Sequence, residues 1–187
     1  MRKELMTALA LAIAASSASM AENEIPVQVY LQTGDWPDPP LRVEKIVNSV
    51  FARIGVKLLW RIGPMPDTPG AGTMVGIRFV EKAPITASAQ ALASASPFSS
   101  RPEILVYQDR LRHHFNAMPG WSNVIPGYVL AHELCHVLQG TNLHSESGLM
   151  RASWAWPEYA AMLNNRLFFS DEDRNLILAS LTVRPRR

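Results

Sequence analysis

Two histidines and a glutamate lie within one five-residue segment, and their spacing suits metal-dependent hydrolysis. The segment runs from His132 through Glu133 to His136. Residues four apart share one face of an α-helix, so the two histidines can offer imidazole nitrogens to the same metal ion. Imidazole suits Zn²⁺, which in catalytic sites takes three protein ligands and a water molecule. Glu133 follows the first histidine directly and can accept the proton of that water. The segment therefore predicts a zinc hydrolase.

The surrounding residues predict a core helix that presents these side chains to a cleft. With successive residues about 100° apart, the apolar positions gather on the side opposite the histidines: Leu130, Leu134, Val137 and Leu138. Gly140 is expected to end the helix, and Ser122 or Asn123 to cap its start. The alternative is an amphipathic helix with two solvated histidines and no metal.

A third histidine and a methionine follow the helix and carry a family resemblance. His144 is followed directly by Ser145, and a Gly-Leu-Met triplet ends at Met150. Together with the helix and Gly140, these residues resemble the metzincin clan of zinc metalloproteases, and the matrixin type in particular. The resemblance implies that His132, His136 and His144 are the zinc ligands and that Glu133 is the general base. It also implies that Met150 lies in a tight turn below the metal, as a hydrophobic floor.

The spacing departs from the metzincin pattern, and this leaves a second candidate for the third ligand. The family places its glycine three residues and its third histidine six residues after the second histidine. Here the intervals are four and eight. The rival ligand is Glu158, which lies 22 residues after His136 and would make the protein a thermolysin-like zincin. A glutamate in the first turn of a helix also has an ordinary explanation as a partner of the helix dipole.

The rest of the chain predicts an α+β fold, a zincin-like or metzincin-like catalytic domain with a mixed, twisted sheet. Periodicity predicts strands at residues 25–31, 56–62, 74–80 and 103–107. Helices are predicted at 41–54, 109–115, 157–168 and 170–181, besides the histidine helix. Ser170 and Asp173 form a capping pattern at the start of the last helix. Trp154 and Trp156 are expected to pack beneath the zinc site as core aromatics.

An Ala- and Ser-rich segment at 91–96 is expected to be an irregular edge strand. In the metzincin clan such a strand lies along the cleft and pairs antiparallel with the extended substrate, and backbone pairing requires no particular side chains. His113 and His114 lie side by side on a predicted helix and point about 100° apart, so they are interpreted as surface residues. A second metal site there is the alternative.

The N-terminus predicts export. Arg2 and Lys3 precede an apolar run, and cleavage after Ala21 would remove residues 1–21 as a signal peptide, leaving a single domain over 22–187. The protein is then expected to be secreted or periplasmic and monomeric, with no stable membrane association. Removal of the signal lowers the formal charge from +2 to +1, which does not favour nucleic-acid binding. Cys135 is the one cysteine of the chain and is interpreted as a small buried residue.

These observations together predict an exported zinc endopeptidase that acts on protein or peptide substrates. Zn²⁺ would lower the pKa of a bound water from 15.7 toward about 7, and Glu133 would take its proton. The longer loop before His144 could instead close the open coordination position, as structural zinc sites do. The alternative function is therefore a zinc-stabilised binding module without catalysis.

Overall fold

A five-stranded sheet forms the frame of the protein. The computed structural model describes residues 24–32, 41–68, 70, 72–117 and 124–183. The strands are β1 (Ile25–Gln32), β2 (Val56–Ile62), β3 (Thr73–Val80), β4 (Ala93–Ala95) and β5 (Glu103–Tyr107), in the order β2-β1-β3-β5-β4. β1, β2, β3 and β5 are mutually parallel, and β4 pairs antiparallel with β5. The predicted mixed sheet is confirmed, and the Ala-rich segment does supply its edge strand.

The described part of the chain also forms five helices. They are α1 (Leu41–Ala52), α2 (Gln108–Ala117), α3 (Ile125–Gln139), α4 (Trp156–Leu163) and α5 (Asp171–Val183). α1 packs on β2, whereas α3 packs on β4 and β5, and the two helices contact each other. α5 packs against α3. The histidine helix therefore lies between the edge of the sheet and the C-terminal helix.

The apolar patterns explain why the core forms where it does. Val27, Val29 and Leu31, which alternate along the inner strand β1, are fully buried because they share the face that the helices cover. The apolar stripe of α1 turns toward the sheet. α3 is buried over nearly its whole length, as expected for a helix that has neighbours on several sides.

The crossing of α1 and α3 depends on a glycine. A Cβ atom added at Gly127 would lie 2.9 Å from the Cβ and Cγ2 atoms of Ile46. The absence of a side chain at Gly127 lets the two helices approach closely, and this fixes the first turns of α3 against α1.

Two helix ends differ from the prediction. α3 has Val124 at its N-cap and no side-chain cap bond, and the predicted caps Ser122 and Asn123 lie outside the described residues. α4 ends at Leu163 and not near residue 168, because Asn165 adopts a left-handed conformation with a φ of 52°. The N–H of Arg166 then bonds the carbonyl of Ala161 at 2.8 Å, which closes the last turn.

The structure does not test the predicted signal peptide. The predicted signal peptide, residues 1–21, lies outside the described residues. Among the helices that the structure describes, none is both long enough and apolar enough to cross a membrane.

Candidate metal centre

Helix α3 positions the first two histidines of the site in a largely buried environment. His132 and His136 are one turn apart and are 9% and 6% exposed. Their Nε2 atoms lie 3.1 Å from each other. Gly140 ends the helix just beyond them with a φ of 71°, and its N–H bonds the carbonyl of His136 at 2.9 Å. The predicted helix end is therefore confirmed, and the chain turns directly after the second histidine.

Backbone carbonyls determine which ring nitrogen of each histidine carries the proton. Nδ1 of His132 lies 3.0 Å from the carbonyl oxygen of Leu149, and Nδ1 of His136 lies 3.0 Å from that of Thr141. A carbonyl oxygen only accepts hydrogen bonds, so both Nδ1 atoms must be the donors. Neutral rings then leave both Nε2 atoms unprotonated and facing each other. A cation bound by both lone pairs would stabilise this arrangement.

Burial keeps both rings in the form that a metal requires. Burial lowers the pKa of His132 to about 4 and that of His136 to about 4. Both imidazoles are therefore neutral at pH 7, and a metal ion would not have to displace a proton from either one.

His144 joins the two helical histidines from the loop after α3. Its ring centroid lies 5.2 Å from that of His132 and 4.8 Å from that of His136. One ligand atom from each of the three residues falls within 4.8 Å of the others. Unlike the first two, the His144 side chain is exposed. The three residues form a group able to hold one metal ion, with one side of the group accessible from solvent.

Glu133 lies on the side of α3 that faces the edge strand. Its carboxylate accepts a hydrogen bond from the backbone N–H of Ala95 in β4. Burial raises the pKa of Glu133 to about 7, and the bond from Ala95 opposes this shift. A carboxylate with a pKa near 7 can both accept and release a proton at neutral pH, as a general acid–base group must.

The register of β4 shows which backbone groups point toward Glu133. The N–H of Tyr107 bonds the carbonyl of Leu92, and that of Ser96 bonds the carbonyl of Glu103. Because hydrogen-bonded and non-bonded pairs alternate in an antiparallel ladder, Ala93 and Ala95 direct their peptide groups away from β5. The outer edge of β4 is therefore the edge that lies beside Glu133.

A tight turn lies beneath the histidines. The N–H of Ser145 bonds the carbonyl of Met150 at 2.9 Å, and Leu149 and Met150 are both fully buried. Gly148 has a φ of 75°, and a Cβ atom there would lie 2.9 Å from the carbonyl oxygen of Phe168. Glycine is needed both for the backbone conformation and for the space. The turn places the Leu149 carbonyl where it accepts the bond from His132.

Comparison with known proteins gives a structural neighbour. No family model and no curated protein matches the chain. Among the solved structures that match is archaemetzincin from Methanopyrus kandleri, with a TM-score of 0.54 over 86% of this chain and 97% of that one. The fold is of the metzincin type. Sequence identity is 16%, so this likeness concerns the fold alone, and the matrixin type is not confirmed.

Glu158 does not lie in the histidine group of this metzincin-type fold. Its Oε2 accepts the N–H of Ala155 at 2.8 Å, and its Oε1 accepts Nη1 of Arg151 at 2.9 Å. Oε2 therefore caps the start of α4, and Oε1 forms an ion pair with Arg151 in the preceding loop. The ordinary explanation for this glutamate, a helix-start carboxylate, agrees with the structure, which does not bring Glu158 to the histidines.

Of the two tryptophans predicted beneath the site, only Trp154 contacts it. Its ring is 5.6 Å from that of His132 in an edge-to-face arrangement, and its Nε1 donates to the Leu149 carbonyl at 3.0 Å. Trp156 is 71% exposed, so its prediction as a core aromatic is wrong. It begins α4, a helix in which Met162 is the buried residue, and no neighbouring element in the described part of the chain covers the ring. His113 is also exposed, as expected of a surface residue.

Sequence reasoning missed one charged residue that is joined to the site. Asp173 was expected only as half of a helix cap, yet it is 2% exposed and accepts the hydroxyl of Ser145 at 2.6 Å. The two residues are 28 positions apart, so no local pattern pairs them. The available signal was Ser145 itself, a hydroxyl directly after the third histidine.

Proposed function

We propose that the protein is a zinc-dependent endopeptidase. The observation that carries the proposal is the convergence of His132, His136 and His144 beside Glu133 and the outer edge of β4. Three nitrogen donors with an accessible side are the ligand set of a catalytic zinc site, which keeps one position open. The metzincin-type fold supports the same reading.

The histidines fit Zn²⁺ by their chemistry. His132 and His136 would bind through Nε2, because their Nδ1 atoms donate to backbone carbonyls. Such outer bonds fix ring orientation and raise the basicity of the ligand nitrogen. When bound, zinc supplies Lewis acidity, which makes water nucleophilic near neutral pH and stabilises negative charge on a carbonyl oxygen.

Glu133 moves the proton in this proposal. It accepts a proton from the attacking water while the water oxygen forms a bond to the peptide carbonyl carbon. It then delivers that proton to the leaving nitrogen as the C–N bond breaks. Its raised pKa suits both steps, and the Ala95 N–H keeps the carboxylate oriented toward the edge strand.

The substrate in this proposal is an extended peptide. The N–H and carbonyl of Ala93 and the carbonyl of Ala95, which point away from β5, would pair with its backbone, as an added strand pairs with a sheet edge. Small side chains on β4 leave space for close approach of the peptide. Because the pairing requires only backbone groups, the peptide can continue on both sides of the cleaved bond, which suits an endopeptidase.

Metal content and hydrolysis of the wild-type protein test the proposal. We expect about one zinc per chain by plasma mass spectrometry, and weaker binding after His144→Ala but not after Glu158→Ala. Glu133→Gln, which keeps the size of the side chain but removes its basicity, should retain zinc and lose peptide hydrolysis. Catalysis that survives Glu133→Gln would refute the mechanism.

Other outcomes point to other functions. Zinc binding without hydrolysis of any peptide in a mixed library would favour the alternative of a zinc-stabilised binding module. No zinc binding in the wild-type protein would overturn the proposed function. The substrate strand has its own test: exchange of the Ala93 amide, which points away from β5, should slow when a peptide inhibitor binds.

Export forms a separate part of the proposal. Cleavage after Ala21 would release a mature protein that starts at Glu22 and acts as a monomer outside the cytoplasm. Sequencing the N-terminus of protein recovered from the periplasm or medium of an expressing bacterium would test the cleavage site. Retention of residues 1–21 in that protein would contradict it.

A further inference from the structure

Asp173 is a buried residue whose two carboxylate oxygens accept hydrogen bonds from different parts of the protein. Oδ2 accepts the N–H and the hydroxyl of Ser170 at 3.1 and 2.7 Å, and the Asp173 N–H bonds Ser170 Oγ at 3.1 Å. This reciprocal pair caps α5, as the sequence predicts. Oδ1 instead accepts Ser145 Oγ at 2.6 Å and Gln139 Nε2 at 3.3 Å. A helix cap requires only the first set of bonds.

The second set joins α5 to the two segments that carry the histidines. Gln139 is the last residue of α3, and Ser145 directly follows His144 in the chain. A buried carboxylate is stable only when its oxygens are well bonded. The three segments are therefore held in a fixed arrangement around Asp173.

His144 depends on this arrangement more than the other two histidines do. His132 and His136 are held by a buried helix and by bonds from their own Nδ1 atoms to carbonyls. His144 lies in an irregular segment, and its side chain is exposed. Its position is therefore set by its backbone, which is anchored at Ser145 through the N–H to Met150 and the hydroxyl to Asp173.

We propose that Asp173 is a positioning residue of the metal site, which holds His144 within reach of the metal through Ser145. The proposal rests on the proposed function, in which the three histidines bind zinc. It explains why the longer loop before His144 still delivers the third ligand. Outer partners of metal ligands change metal affinity about 10–100-fold when they are removed.

Two serine variants separate positioning of His144 from stability. Asp173→Ala would remove both the cap of α5 and the hydrogen bond to Ser145. It therefore does not separate stabilisation of α5 from positioning of His144. Ser145→Ala removes only the bond to Oδ1. Ser170→Ala is the matched control, because it removes a hydroxyl from the same carboxylate but lies outside the histidine loop. Zinc dissociation constants are measured by competition with a chromogenic chelator, alongside thermal unfolding of the metal-free proteins.

We expect Ser145→Ala to weaken zinc binding about tenfold and Ser170→Ala to leave it within twofold, although both lower the melting temperature. A double-mutant cycle with His144→Ala adds a readout that a purely structural role would not move. If Ser145 acts through His144, Ser145→Ala should have no further effect on zinc affinity once His144 is absent.

Three results would overturn the inference while leaving the proposed function intact. They are unchanged zinc affinity in Ser145→Ala, equal weakening by Ser145→Ala and Ser170→Ala, and an effect of Ser145→Ala that persists in the His144→Ala background. Absence of zinc binding in the wild-type protein would overturn the proposed function, and this inference with it.

Discussion

The turn beneath the histidines offers a substitution whose effect can be worked out from the structure. Gly148→Ala places a methyl group at a φ of 75° and 2.9 Å from the carbonyl oxygen of Phe168. That oxygen already accepts the N–H of Leu149 at 2.9 Å. To admit the methyl group, the turn must move away from Phe168, and this stretches or breaks the bond.

The magnitude follows from two separable costs. A left-handed conformation costs an L-residue about 1–2 kcal/mol. Loss of one backbone hydrogen bond adds about 1 kcal/mol. Gly55→Ala is the matched control, because Gly55 has a φ of 76° but no atom within 4 Å of an added Cβ. We therefore expect about 1–2 kcal/mol at Gly55 and about 2–3 kcal/mol at Gly148.

The same movement should weaken zinc binding. The Leu149 carbonyl accepts Nδ1 of His132, so a displaced turn disturbs the orientation of a ligand. We expect Gly148→Ala to reduce zinc affinity about tenfold and Gly55→Ala to leave it unchanged, because Gly55 lies between α1 and β2.

Urea unfolding in the presence of a chelator measures the stability of each variant without the contribution of zinc. Chelator competition then measures zinc affinity. Equal destabilisation by Gly55→Ala and Gly148→Ala would refute the reasoning, since it would mean that the close approach of Phe168 carries no cost. Unchanged zinc affinity in Gly148→Ala would refute the link between the turn and His132.

Three further predictions concern residues around the site. Glu158→Gln should leave zinc affinity unchanged and destabilise the protein above pH 4.5, because the Ala155 N–H lowers the pKa of the Glu158 carboxyl. In the wild type, the stability that the ionised carboxylate contributes is lost as pH falls, and unfolding curves across pH will measure this loss. Arg110→Ala should raise KM more than it lowers kcat, because Arg110 bonds the carbonyl of Ala91 ahead of β4; steady-state kinetics on a peptide substrate will measure both. Cys135 should not react with a thiol reagent until the protein unfolds, because burial raises its pKa.

Each of these predictions has a result that contradicts it. Weaker zinc binding by Glu158→Gln would indicate that Glu158 is a zinc ligand. An unchanged KM in Arg110→Ala would mean that the bond from Arg110 to the Ala91 carbonyl does not affect substrate binding. Rapid labelling of Cys135 in native protein would mean that α3 opens far more often than its burial implies.

Much of the fold could be predicted from local patterns. The strands at 25–31, 56–62 and 103–107 agree with β1, β2 and β5 to within one residue. Alternation and helical periodicity identify such elements because each records which face is buried. The end of α4 was predicted too late, because the left-handed Asn165 that closes it carries no strong sequence signal.

The pairing of distant residues could not be predicted in this way. The hydrogen bond from Ser145 to Asp173 spans 28 positions, and the Nδ1 bond of His132 to Leu149 spans 17. Both join segments that local patterns treat separately. The exposure of Trp156 was also missed, because an aromatic residue has the same apolar character whether or not a neighbour covers it.

The sequence by itself determined the pair of histidines and the glutamate beside them. Helical geometry is local, so a spacing of four places His132 and His136 on one face wherever the helix lies. Only the tertiary structure placed His144, and not Glu158, beside the two helical histidines, and only it brought Glu133 to the outer edge of β4. Those outcomes depend on how the loop after α3 and a separate strand pack against that helix. Packing between segments far apart in the chain is not fixed by the local sequence of any one of them.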